Sequence, residues 1–429
     1  MKKYGEYIDI SLPWYPNGIP SHWKTLRHKN VLSQHKELVG ENSDKYTLLS
    51  LTLNGVIIRD LSEGKGKFSK DYDKYVVVNE GDFIFCLFDV DETPRTVGLS
   101  KHHGMITGAY DVFTPHDINS DYFYYYYLAL DNNKLLKPLY TGLRKVIAYP
   151  TFTAMRFPVP PRPEQDQIVR FLDYKTAKID KLISGYKRQI ELLEERKLTV
   201  IDEIVHIGIN PSSPKKNSNV DYIGDIPEHW LVLQNHRLYK SMNRKFSEKE
   251  TVLSLSQKDG LIPYEQMTER SLHTASYDNW QLVLPNDLVL NRFKAHLGVF
   301  FSSQYRGIST FHYGVYEPKM QLVSKYYEAL YHTAEYRRVY AGQSKGMTVG
   351  LQNLSDIDFF TVYTVYPPFE EQKAIVAEIE KIEQQFLNAK SHIEHQIELL
   401  QEYRTRLISD VVTGQVDVRD EAIPENEVK

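Results

Sequence analysis

The chain of 429 residues has one cysteine, Cys86, which excludes an intrachain disulfide framework and a cysteine-ligated zinc or iron–sulfur site. It has no uncharged apolar run approaching the ~20 residues of a membrane span. Its first residues, MKKYGEYIDIS, include basic residues but lack the apolar core of a secretory leader. A soluble, cytoplasmic protein without a membrane partner is expected. Charge of one sign is lacking too: 52 Lys+Arg against 56 Asp+Glu leave a net charge of -4, so no global field draws the chain to nucleic acid. Signatures of catalysis are absent. Gly64 and Gly66 in EGKGKFSK lack the Gly-Lys-Ser/Thr ending of a phosphate-binding loop, and HExxH does not occur. The 15 histidines show no ligand spacing beyond His102-His103 and His392/His395, and the second pair falls on the charged face of a helix.

What the chain does have is a duplicated plan. GIPSHW ends at Trp23 and DIPEHW at Trp230, an offset of 207. Pro160-Pro161 with Glu164-Gln165 returns as Pro367-Pro368 with Glu371-Gln372, and QIELL at 189–193 returns at 396–400, both at the same offset. Between these anchors the likeness loosens: LLSL (48–51) answers VLSL (252–255), and EGDFIF around Asp82 answers PNDLVL around Asp287. YPPF (366–369) comes near the Asn/Asp/Ser-Pro-Pro-aromatic loop of amino-methyltransferases. Tyr366, however, has no side-chain oxygen that could hold the target amino group beside the first carbonyl, and the first copy reads VPPR. Two prolines ending a strand before a helix account for it.

Each half divides in two. Its first part (about 17–160 and 224–367) alternates short apolar and polar runs such as YVVV and QLVL, the pattern of strands. NSDYFYYYYLAL and VSKYYEALYHTAEYRRVY are expected to be matching amphipathic helices capped by Ser120 and Ser324, with their aromatics in the core. Its second part is a long helix. In the second copy a +4/+3 walk visits Ile375, Ile379, Ile382, Phe386, Ala389, Ile393, Gln396, Leu400, Tyr403, Leu407 and Asp410, a coiled-coil seam. The first copy gives Ile168, Leu172, Lys175, Ile179, Leu182, Tyr186, Gln189, Leu193, Arg196, Val200 and Glu203, a weaker seam interrupted by Gly185. Pro163 suits the start of a helix, and Gly208 and Gly414 suit the stops. Residues 208–219, GINPSSPKKNSN, have linker composition. Residues 367–429 carry 7 basic against 14 acidic side chains, and the tail GQVDVRDEAIPENEVK is expected to fray.

The expected architecture is α+β. Two related domains of mixed α/β structure (1–162 and 210–367) are separated by a long antiparallel two-helix coiled coil (163–209 and 368–413), with an acidic tail (414–429). Connectivity makes the second helix return along the first, and 44 helical residues (164–207) span ~66 Å, giving a pseudo-twofold arrangement.

With IPEHW at a domain start, PPFEEQKAIV at a helix start and QIELLQEYRTRLISDVVTGQVDVR at the end, the chain resembles the specificity (S) subunit of type I restriction–modification systems. The first half gives IPSHW, PPRPEQDQIV and QIELLEERKLTVIDEIVHIG, and the resemblance covers nearly all of residues 17–420. The resemblance implies a non-catalytic subunit whose two target-recognition domains each read half of a bipartite, asymmetric site in double-stranded DNA. Its helices would set the spacer and dock two methyltransferase (M) subunits, acidic outer positions such as Glu378, Glu380, Glu394 and Glu398 lying beside the seam. No cofactor would sit on this chain; S-adenosylmethionine would belong to the adenine-methylating M subunits, and ATP with Mg to two restriction (R) subunits where a system has them.

A domain charge near zero still permits DNA binding when basic residues cluster on one face. In the second half the candidates are Arg292 and Lys294 in LNRFKAHLG, and Gln343, Ser344 and Lys345 in AGQSKGMTVG. In the first half they are Arg144 and Lys145 in TGLRKV, and Arg95 and Lys101 in DETPRTVGLSK. Arg pairs with guanine and Gln with adenine in the major groove, whereas Lys more often holds phosphate. Each is equally readable as a solvated surface charge. The rival reading is an adaptor that binds no DNA, with twin protein-binding domains on a coiled coil.

Overall fold

The computed structural model describes residues 2–10, 12, 15, 17–59, 72–142, 145–246, 250–257, 259–267, 279–348 and 351–424. The chain forms two compact units, Met1–Lys187 with Glu394–Lys429, and Arg188–Ile393. Each unit therefore holds one globular part and portions of both long helices.

The two units repeat one another strand by strand. In the first, Lys24–Arg27 pairs antiparallel with Arg156–Val159, which brings both ends of the globular part to the start of the long helix. In the second, Leu231–Gln234 pairs with Tyr363–Tyr366 in the same register, every position displaced by 207. Between these ends the first unit builds a four-stranded antiparallel sheet in the order Leu32–His35, Asp111–Pro115, Phe83–Phe85, Val97–Leu99. The second repeats that order with Tyr239–Ser241, Tyr313–Pro318, Leu288–Asn291 and Phe300–Ser302.

Alternation along a strand sends successive side chains to opposite faces, and the central strands feed two cores. Phe83 and Phe85 join the large aromatic core while Ile84 packs with Leu49, Val56 and Val112. Likewise Leu288 and Leu290 face one core and Val289 the other. The aromatics expected in the core are there: Tyr122, Tyr126, Tyr127, Tyr326, Tyr327, Tyr331, Tyr336 and Tyr340 are fully buried.

The caps differ from expectation by one residue. Asn119, not Ser120, caps the helix Ser120–Asn132, its side chain accepting from the Tyr122 amide at 3.0 Å. Ser324 is the first residue of its helix rather than its cap, and its hydroxyl is spent on the Asn286 carbonyl at 2.6 Å. The expected partner helix is also two helices, Ser324–Tyr331 and Ala334–Gln343. Between them Thr333 is extended and its hydroxyl takes the Leu330 carbonyl at 2.8 Å, ending the first helix.

The long helices run Arg162–Ile207 and Phe369–Val412. In the first unit the start of one packs on the end of the other: Ile168, Leu172, Ile179 and Ile183 share a core with Leu400, Leu407, Ile408 and Val411, and Arg404 reaches Asp180 at 3.1 Å. In the second unit the ends are exchanged: Ile201, Ile204 and Val205 meet Ile375, Val376 and Ile379. The pairing is thus antiparallel in each.

The expected seam needs correction. Leu182 is 54% and Tyr403 46% exposed. Gln189, Arg196, Glu203 and Gln396 also face solvent, whereas Thr176, Ile183, Ile190, Lys197, Ile204, Ile397 and Arg404 turn inward. The stripe from Ile375 to Val411, like that from Ile168 to Ile204, covers 36 positions in ten steps, the 3.6-residue period of an α-helix rather than 3.5. A strict heptad walk, Ile375 to Asp410, covers 35 positions in the same ten steps and so ends one residue behind the stripe.

The tail does not fray as far as it is described. Val416, Asp417 and Val418 are buried in the first unit, where the Asp417 amide donates to the Lys2 carbonyl at 2.9 Å and Tyr7 donates to the Gly414 carbonyl at 2.9 Å. Val416 and Val418 carry this segment into the core; the buried Asp417 between them is paired with Arg419 at 2.8 Å, while Asp420 and Glu421 face outward.

Candidate nucleic-acid interface

Sheet register decides which loops share a surface. Asn291 pairs with Tyr313, so the turn Arg292–Leu297 and the turn Thr310–His312 leave the same end of the second sheet. The Leu354 amide donates to the Arg292 carbonyl at 3.0 Å, which fastens the hairpin Lys345–Thr348 with Leu351–Asn353 beside them. Five candidates from the sequence, Arg292, Lys294, Gln343, Ser344 and Lys345, therefore gather at one end of the second unit.

Their surroundings differ. Arg292 is partly buried and donates to Asp356 at 2.7 Å, a carboxylate that also accepts from Tyr316 at 3.0 Å and Ser241 at 2.6 Å. The Arg292 Nε is buried without a hydrogen-bond partner among the described residues, so the guanidinium is only partly satisfied. Lys294 and Gln343 are exposed. Ser344 gives its hydroxyl to the Tyr340 carbonyl at 2.6 Å, closing the preceding helix. Lys345 is 81% exposed and lies 3.5 Å from Asp358, whose carboxyl is held below its ordinary range by Ser355 and then by Lys345.

The first unit brings together fewer of its candidates. Phe85 pairs with Asp111, so the loop 86–96 and the turn before Asp111 share one sheet end. Arg95 and Lys145 lie there, with the Ile147 amide bonded to the Leu87 carbonyl at 2.8 Å. Arg95 is largely buried, donating to Asp131 at 3.1 Å and Asn132 at 2.9 Å. Lys145 bridges Glu92 at 2.5 Å and Asp91 at 3.0 Å. Hydrogen bonds to Glu92 and Asp91 hold this ammonium more firmly protonated than an ordinary lysine, and Lys145 in turn lowers Asp91. Lys101 follows the strand Val97–Leu99 and is exposed at the opposite end of the sheet from Arg95. Arg144 lies outside the described residues.

Sequence reasoning missed an aromatic feature common to both ends. In the second unit the Phe311 and His312 rings meet with centroids 3.9 Å apart and planes tilted by 37°, and His312 lies 5.7 Å from Phe293. In the first, Phe88 stacks on Tyr110 at 6.0 Å with nearly parallel planes. In each unit a phenylalanine after the central strand meets an aromatic or imidazole ring that precedes the returning strand. Arg337 was also missed; exposed on the helix Ala334–Gln343, it lies over Gly298, where a Cβ would come within 2.9 Å of its Cδ. The only available signal was pairing register, which a single sequence does not display. Among the described residues no three His, Cys, Asp or Glu side chains gather as metal ligands, and no helix is long and apolar enough to cross a membrane.

Residues 50–192 match the family model described as the type I restriction modification DNA specificity domain. Over 94% of this chain and 100% of the other, the fold is similar to a chain solved in work on complex assembly and conformational transition of the type I R-M system, with a TM-score of 0.56 at 13% identity. It is similar also to the HsdS subunit from Thermoanaerobacter tengcongensis, with a TM-score of 0.51 at 14% identity over 94% of this chain and 100% of that one.

Proposed function

We propose that this chain, whose residues 50–192 belong to the type I restriction modification DNA specificity domain family and whose fold is that of type I specificity subunits, reads a bipartite DNA site through its two globular parts. The observation that carries the reading is the shared sheet end. Both units present loops from the same strand register there, with different side chains: Arg292, Lys294 and Lys345 in one, Arg95 and Lys145 in the other. Equal placement with unequal chemistry is what two different half-sites require. Arg292, Gln343 and Arg95 would address base edges, Lys294, Lys345, Lys145 and Arg144 the phosphates, Ser344 either, and Lys101 a phosphate away from the main patch.

The chain itself is non-catalytic in this reading. Its long helices set the spacer between half-sites and dock two M subunits, which bind S-adenosylmethionine and methylate adenine; two R subunits, where present, bring ATP and Mg. Leu192 and Leu399, equivalent in the repeat, are 49% and 44% exposed on those helices and offer apolar contacts for partner helices.

Co-expression with a methyltransferase encoded nearby tests this. Native mass spectrometry should find two M per chain, and methylome sequencing should recover one asymmetric bipartite motif. A stable one-to-one complex with no methylated motif would sink it. One observation favours the rival adaptor: Arg95 and Lys145 already hold carboxylates, so the first unit offers less unpaired positive charge. The adaptor would show no salt-dependent DNA affinity once its partners are bound.

A further inference from the structure

We propose that Phe311 forms an apolar subsite for the 5-methyl group of a thymine in the half-site read by the second unit. This deepens the DNA-reading function above and rests on it. Phe311 is 51% exposed at the tip of the turn that joins Gly307–Ser309 to Tyr313–Pro318. The Tyr313 amide closes that turn on the Thr310 carbonyl at 3.1 Å, and the strand Tyr313–Pro318 is held on both sides in the sheet. An exposed phenyl on a tight, sheet-anchored turn loses little freedom when it is covered.

The position also singles out the ligand. The His312 ring, tilted by 37° against Phe311 with centroids 3.9 Å apart, connects it to Phe293 at 5.7 Å, the residue between Arg292 and Lys294. The phenyl thus shares its sheet end with the turn that carries Arg292 and the exposed Lys294. A purely apolar protein partner would leave those cations uncovered, whereas a DNA groove supplies both phosphates and an apolar group. In the major groove that apolar group is the thymine methyl, which phenylalanine side chains contact in direct readout. Phe311 would thus report A·T pairs by shape, while Arg292 would report guanine by hydrogen bonds.

The test uses the assembled complex and duplexes carrying its methylated motif. Each thymine of the half-site assigned to the second unit is replaced in turn by deoxyuridine, which lacks only the methyl. Loss of one buried methyl contact is expected to weaken binding about four-fold at one position. F311A should erase that thymine-over-uracil preference while keeping the motif's other positions and the salt dependence; F311L, still apolar, should retain part of it. Equal binding of every thymine and uracil duplex would overturn the subsite. So would an F311A complex that still prefers thymine, or a half-site of G·C pairs alone. Absence of any sequence-specific DNA binding by the wild-type complex is a separate result, which removes the function as a whole.

Discussion

The indole nitrogen of Trp23 donates to the Glu164 carboxylate at 2.9 Å, and 207 positions later Trp230 does the same to Glu371 at 3.0 Å. His22 holds the other oxygen of Glu164 at 2.8 Å, whereas His229 shares with Trp230 the same oxygen of Glu371, also at 2.8 Å. The neighbouring glutamines complete the device. Gln165 accepts the Asn119 amide at 3.0 Å and donates to the Pro160 carbonyl at 2.9 Å; Gln372 accepts the Val323 amide at 2.9 Å and donates to the Pro367 carbonyl at 2.8 Å. The repeated IPxHW and PPxxEQ motifs are therefore two halves of one clasp that fixes each globular part to the start of a long helix. YPPF works here through a backbone carbonyl, as part of that clasp.

The clasps are unequal, and removing them should show it. Glu164 is buried and accepts a third bond, from Tyr4 at 2.6 Å, whereas the Glu371 side chain is 26% exposed. Glu164→Ala leaves buried Tyr4 and Trp23 donors unpaired and should cost about 2–4 kcal/mol; Glu371→Ala should cost about 1–2 kcal/mol. Thermal unfolding with hydrogen exchange read at residues 17–27 checks this. Equal losses for the two variants would contradict the assigned burial.

A buried polar pair makes the first unit acid-sensitive. His28 is fully buried and bonds the Phe152 carbonyl at 2.8 Å; its repeat counterpart Asn235 bonds the Phe359 carbonyl at 3.0 Å. Burial pushes the His28 imidazole down to about 3 from an ordinary 6.5. The unfolded chain then binds a proton that the folded one refuses. Stability is complete above the unfolded value and falls as pH drops from 6.5 towards 3, by about 1.4 kcal/mol at pH 5.5. His28→Asn, the choice made by the second unit, should lower stability at pH 7 by about 1–2 kcal/mol through lost volume but flatten the slope between pH 7 and 5. Denaturant titrations across that range decide it; an unchanged slope would refute the role given to His28.

For the interface, Arg292→Ala should abolish base preference at one or two positions of one half-site, at about 1–3 kcal/mol of discrimination. Lys294→Ala should weaken binding evenly and reduce its salt dependence. Asp356→Asn, which keeps the Tyr316 and Ser241 contacts in shape but loosens the ion pair, should alter the same positions as Arg292→Ala. Methylome sequencing of the three variants is the measurement. An unchanged motif with Arg292→Ala removes that residue from the reading set.

The repeat was legible because clasp residues are rigidly constrained in type and spacing. The seam was half legible: Ile375, Ile379 and Ile393 face inward in either period, but adjacent apolar pairs such as Leu182 and Ile183 leave the drift undecided until burial is seen. The state of the candidate cations was not legible. Arg292 and Asp356 are 64 residues apart, Arg95 and Asp131 36 apart, and only folding makes them partners. The aromatic pair Phe293–His312 was hidden for the same reason, since its two halves lie on different turns.

The segment after the second long helix provides the last prediction. Gly414 sits at a left-handed φ of +73°, and a Cβ there would approach the Pro20 ring to 2.4 Å and the Trp23 ring to 3.2 Å. Beyond it Gln167 donates to the carbonyls of Val418 and Glu421, at 3.0 and 2.9 Å. The segment is thus one wall of the first clasp. Ending the chain after Thr413 removes the buried Val416 and Val418 and should cost the first unit about 3–5 kcal/mol. Gly414→Ala, which changes a single atom, should cost at least about 1 kcal/mol through backbone strain and the Pro20 contact. Gly208→Ala should act likewise on the second unit, since Gly208 has a φ of +79° and lies against Trp230 and Glu371. Hydrogen exchange should localise each loss to its own unit. A truncated chain as stable as the full one would mean that Val416 and Val418 contribute nothing to the core they enter.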